Sequence, residues 1–69
     1  MNSKEIGKRL IKLRGARMRE EVAASLRISL SALTMYELGN RIPRDEIKIA
    51  LANYYGTSVQ SLFLMTKYT

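Results

Sequence analysis

Apolar residues recur along this chain at three- and four-residue intervals, interrupted by short polar breaks, and the pattern predicts five short helices and no strand. Ile6, Leu10 and Leu13 fall on one stripe with Ile11 beside them, which places a first helix over residues 4–14. Asn2 or Ser3 can cap it, Glu5 complements the helix dipole, and Gly15 offers a left-handed stop after Arg14. Residues 15–18 connect to a second helix over 19–26, with Val22, Ala23 and Leu26 inward and Glu20 and Glu21 in its first turn. Met18 stands at the cap position without a capping oxygen, at a cost of about 1 kcal/mol relative to Thr or Ser. Arg19 is awkward at a helix start unless an anion binds close by. A third helix over 30–38 turns Leu33 and Tyr36 inward and ends at Gly39-Asn40. Pro43, in the loop that follows, forces Ile42 out of the α region. A fourth helix over 45–55 carries Ile47, Ala50, Leu51 and Tyr54 on its core stripe, and Gly56 stops it. Ser58 then caps a last helix over 59–64, where Val59, Leu62 and Phe63 are apolar, and Leu64, Met65 and Tyr68 carry the apolarity into the tail. The expected fold is all-α: a compact bundle of about five short helices, one domain over residues 1–69 with its core at 4–63 and a tail at 64–69.

The second and third helices meet at a tight break, Arg27-Ile28-Ser29, where Ser29 can cap the new helix and Ala23 is small enough for a close crossing. Two helices joined by a turn of three or four residues are the outline of a helix-turn-helix, a unit whose second helix carries its outward face into the DNA major groove. Arg27 must either accept a left-handed conformation, at about 1 kcal/mol, or turn differently. On the outward face of the third helix, Leu30/Thr34 and Ser31/Met35 are i, i+4 pairs that form one compact patch. In a major groove, Leu30 or Met35 would meet a thymine methyl, and Ser31 or Thr34 would bond base edges or phosphates. The competing reading has Leu30 and Met35 closing the edge of the core or packing in an oligomer. No Arg, Asn or Gln lies within residues 30–35 to make bidentate base contacts, so specificity per base pair is expected to be modest, with shape readout contributing.

Charge sharpens this picture. The net charge is +6, and all of it lies in residues 1–44, which hold ten Lys/Arg against Glu5, Glu20, Glu21 and Glu37, whereas residues 45–69 are neutral. One side facing a polyanion accounts for this asymmetry; a lysine-rich solvated surface does so too, and charge alone does not choose. The absence of His and Cys removes the usual general base, nucleophile and metal ligands, and no glycine-rich phosphate loop is present, so no enzyme, cofactor or metal site is expected. No disulfide can support so small a core. No apolar run approaches the roughly 18 residues of a membrane span and the N-terminus lacks a signal-peptide apolar region, so a cytoplasmic protein with no membrane contact is expected.

Taken in order, IGKRLIKLR, EEVAASL, ISLSALTMYELGNRIP and ALANYYGTSVQSLF make the chain resemble the phage-repressor/Cro (XRE) family of helix-turn-helix domains over about residues 6–63. The resemblance implies a lambda-repressor-like fold and a transcriptional regulator, a repressor bound as a two-fold homodimer to a pseudo-palindromic operator in double-stranded DNA, with half-sites about one helical turn apart. It assigns Ser29, Leu30, Ser31, Thr34 and Met35 to the start of the recognition helix, where side chains touch base edges. It sets Arg19 where the family usually has a phosphate-bonding glutamine, and Asn40, Arg41 and Arg44 in the loop that grips the next phosphates. Arg14 and Glu37 match an arginine–glutamate pair that ties the first helix to the recognition helix. Three departures stand out: a shorter connection between the first two helices, Met18 for the usual Thr or Ser cap, and Arg27 for the usual turn glycine, which makes Arg27 a candidate phosphate contact. Val59, Leu62 and Phe63 are expected to be mostly core; Leu64, Met65 and Tyr68 exceed what so small a core needs, and with Val59 and Leu62 they form the candidate dimer surface. With no ligand-sensing domain and no small-molecule ligand expected, control falls to concentration, a regulatory protein partner or proteolysis. The rival is a helix-turn-helix domain used as a protein-interaction module or accessory subunit, which would leave the basic N-terminal part unexplained.

Overall fold

The structure, a computed structural model, describes residues 2–64. Among them the chain forms five helices and no strand: α1 (Ser3–Arg14), α2 (Arg19–Leu26), α3 (Leu30–Leu38), α4 (Asp45–Tyr54) and α5 (Val59–Phe63). The starts follow the capping chemistry. Asn2 accepts hydrogen bonds from the backbone N–H groups of Lys4 and Glu5, Ser29 from that of Ala32, and Ser58 from that of Ser61, while Met18 contributes no side-chain cap. Two ends come one residue earlier than the apolar pattern suggests: Tyr55 leaves the helical conformation after α4, and Leu64 is already extended after α5.

The core is built from Ile6, Leu10, Val22, Ala23, Leu33, Tyr36, Leu51, Ala52, Leu62 and Phe63, with Leu26, Ile28, Ile47, Tyr54 and Val59 packed around it. On α1, Leu13 and Ile11 are exposed, contrary to the expected stripe. The reason is Gly7. A Cβ there would land on the carbonyl of Glu37, so α1 crosses α3 backbone to backbone at this point, and the buried face rolls onto Ile6, Gly7 and Leu10. The same roll carries Arg14, one turn beyond Leu10, toward α3. On α4 the buried pair is Leu51 and Ala52, with Ala50 only half-buried.

Two of the first helix's basic residues hold other helices. The Lys4 ammonium donates to the Leu38 carbonyl at 3.2 Å and Ser3 Oγ to the Gly39 carbonyl at 2.9 Å, so the start of α1 closes the end of α3. A positive charge suits the negative end of the α3 dipole. The Arg9 guanidinium donates to the carbonyls of Ser61, Leu62 and Leu64 at 3.2–3.3 Å and caps the end of α5 in the same way. α3 is therefore held at its C-terminal end and along its inner face.

Candidate nucleic-acid interface

The turn between α2 and α3 is made by Arg27, which takes the left-handed conformation (φ 58°, ψ 40°) while its N–H donates to the carbonyls of Ala23 and Ala24. That geometry, usual for glycine, costs an L-residue roughly 1–2 kcal/mol. The Ile28 N–H bonds the Ala23 carbonyl at 3.0 Å and its half-buried side chain packs on the core, which anchors the turn. Ser29 then caps α3 at its first turn, so its hydroxyl is engaged by the Ala32 N–H at 3.0 Å.

Along α3 successive side chains rotate by roughly 100°. Leu33 is fully buried, and Ser31 and Met35 stand on the side opposite it, with Leu30 (42% exposed) and half-buried Thr34 next to them. The outward patch thus forms as the sequence suggests. Each flank of the patch opens into a groove that contains arginine. On one side a groove of about 340 Å³ is lined by Leu30 and Thr34 with Arg14, Met18, Arg19 and Glu20. On the other, a groove of about 570 Å³ is lined by Arg27, Ile28, Ala32 and Tyr36 with Arg41, Ile42, Arg44 and Ile47. An outward helix face between two cationic flanks matches a duplex, whose major groove lies between two phosphate strands.

Beneath the first flank lies the buried ion cluster. Arg14 donates Nε to Glu37 Oε2 at 2.7 Å and Nη2 to Oε1 at 3.2 Å, and Arg19 donates Nε to the same Oε1 at 2.8 Å. The Glu37 side chain is 0% exposed. The hydrogen bond to Glu37 raises the pKa of Arg14, against the opposing effect of burial. Two guanidiniums share this one carboxylate, and Glu20, in the first turn of α2, lines the same groove. Arg19, expected at a phosphate, is thus also a structural partner of Glu37, with 36% of its side chain exposed beside the groove.

The short α1–α2 connection is secured by contacts that no local pattern announces. Arg14 Nη1 donates to the Arg17 carbonyl at 2.8 Å, and the Arg17 guanidinium lies 5.4 and 5.5 Å from the ring centroids of Tyr54 and Tyr55. These two rings meet edge to face at 5.1 Å. The Tyr55 hydroxyl is buried without a hydrogen-bond partner among the described residues, and burial, with the nearby Glu37 charge, pushes its pKa above the ordinary 10.0. A cation–π contact between residues so far apart in sequence leaves no periodic trace.

The remaining sequence-predicted residues fall in three groups. Arg41 and Arg44 come together in the larger groove; Arg44 also pairs with Glu46 at 3.5 Å, but both side chains are about 80% exposed and the pair contributes little. Asn40 is exposed at the end of α3, with its N–H on the Met35 carbonyl at 2.9 Å, and lines neither groove. Of the expected dimer surface, Leu64 is exposed and Val59 half-buried, but Leu62 (2% exposed) is a core residue and drops out, because α5 must turn it and Phe63 inward to close the bundle. Met65 and Tyr68 lie outside the described residues. Met18, noticed in the sequence only as a poor cap, proves to be an exposed wall of the smaller groove.

A helix-turn-helix family model matches residues 8–62, most of the chain. The chain belongs to the helix-turn-helix family, in its Cro/repressor (XRE) type. Searches of curated proteins and of solved structures return no match. Five helices without a strand among the described residues fit the lambda-repressor-like fold of this family, and its function is of the DNA-binding, transcription-regulator kind. None of the described helices of this helix-turn-helix protein is long and apolar enough to cross a membrane.

Proposed function

We propose that the chain is a sequence-specific regulator of transcription, a cytoplasmic, nucleoid-associated repressor that occupies a pseudo-palindromic operator as a homodimer, with residues 1–69 acting as one DNA-binding domain. The observation that carries this reading is the outward strip of α3, Ser31 and Met35 with Leu30 and Thr34 beside them, lying between two arginine-bearing grooves. In it Ser31 and Thr34 donate to or accept from base edges, and Leu30 and Met35 take thymine methyl groups. Ser29 touches the duplex at the start of α3 while its hydroxyl holds the cap. Arg19, Asn40, Arg41 and Arg44 meet phosphates, which set register and affinity without carrying sequence information. The dimer forms through exposed Leu64, the outer edge of Val59 and the tail residues Met65 and Tyr68.

The exposed apolar pair Leu30 and Met35 favours one alternative, a protein-interaction module that docks a partner on the same strip. Selection of bound fragments from random duplex DNA separates the two, followed by anisotropy titrations at several salt concentrations. An enriched pseudo-palindrome bound about a thousandfold better than random DNA is the expected result. Weak binding to every duplex, with a steep salt dependence and no enrichment, would leave only phosphate attraction and move the interaction-module reading ahead.

A further inference from the structure

We infer that Arg27 is a further phosphate-binding residue and that, with Arg41 and Arg44, it makes the larger groove a seat for one strand of the DNA backbone. This rests on the DNA-binding reading above. Three arginines line that groove from two separate segments, the α2–α3 turn and the α3–α4 loop, together with Ile28, Ala32 and Tyr36. No carboxylate lines it. Three arginines around one groove attract a polyanion, and the exposed Glu46 beside Arg44 offsets little of that attraction. Ala32 and Tyr36 lie on the flank of α3 away from Leu30, Thr34 and Arg19, so the groove faces the strand across the major groove from the one that Arg19 meets.

The backbone supplies a separate argument. Arg27 is the only non-glycine residue with positive φ among those described, at a position whose geometry suits glycine. Its side chain forms no hydrogen bond or ion pair within the described fold that offsets this strain. An arginine in a strained backbone position, lining a groove with two other arginines, is explained by an anionic ligand. The repeating phosphodiester, one charge every few ångströms, meets three cations from one edge. An isolated acidic side chain on a protein partner does not.

The test uses the full chain and three variants. Arg27→Gln keeps the conformational strain and removes the charge, Arg27→Gly removes both, and Arg41→Ala is the reference for a phosphate contact. Thermal melts and anisotropy titrations, on a random duplex and on any selected site, are run across a range of salt. The expected result for Arg27→Gln is an unchanged melting temperature and weaker binding by the same factor on both duplexes. The slope of log K against log salt should fall by about 0.9 per bound subunit. Arg27→Gly should bind as weakly yet melt about 4–8 °C higher. If Arg27→Gln binds with wild-type slope while Arg41→Ala loses slope, the role of Arg27 is overturned and the DNA-binding reading stands. If the wild-type chain binds no duplex even at low salt, both fall, and an acidic protein segment becomes the occupant to test.

Discussion

Glu37 is the residue on which most of the interface depends. It lies within α3, it is fully buried, and it accepts from arginines on two different elements. Replacing it with glutamine keeps the volume but leaves two guanidiniums around a neutral amide. Glu37→Gln should destabilise the fold by about 3 kcal/mol in urea denaturation, much of what a domain of this size has. Tyr55 makes the opposite case. Its hydroxyl is buried with no partner among the described residues, so Tyr55→Phe should stabilise the fold by about 1 kcal/mol at neutral pH. The gap should widen in alkali. Because the folded-state pKa is raised above the ordinary 10.0, the unfolded chain gives up this proton first as pH rises, and the folded form loses stability from about that value upward. Denaturation curves of the two proteins between neutral pH and about pH 11 check both claims.

At the scale of elements, the α1–α3 crossing sets how the recognition helix is presented. Gly7 is there because nothing larger fits against the Glu37 carbonyl. Gly7→Ala would gain helix propensity in α1, yet should cost about 1–3 kcal/mol by forcing the two helices apart, and it should weaken DNA binding beyond its effect on stability. A melting temperature equal to or above that of the wild type would contradict the close crossing. The short connection before α2 is tolerated for a related reason. Arg14 and Arg17 tie it to Glu37, Tyr54 and Tyr55, so the missing Met18 cap is offset by contacts elsewhere.

For the whole molecule the open quantity is assembly. Leu64→Asp should leave the fold's melting temperature nearly unchanged, since the side chain is 45% exposed on extended backbone, and should shift the chain toward monomer in sedimentation at tens of micromolar. Leu62→Ala, two residues away, should instead cost about 2–5 kcal/mol through the core. A chain that sediments as a monomer with and without operator DNA would refute the dimer. Binding at the whole-molecule scale should also be strongly salt-dependent, and Arg41→Ala should flatten that dependence on all sequences alike.

The order and type of the helices, their caps, the inward Leu33 and Tyr36 and the outward patch of α3 were all legible in the sequence, because each rests on spacing within a few residues and on local capping chemistry. The arginine–glutamate pair was legible only through resemblance to the family, since nothing in the local pattern joins Arg14 to Glu37. Tertiary structure decided the rest. It rolled α1 about Gly7 and exposed Leu13, recruited Arg19 to Glu37 and Arg9 to the end of α5, and gathered Arg27, Arg41 and Arg44 at one groove. Those outcomes depend on where distant segments meet, and periodicity along one helix holds no information about the surface of another.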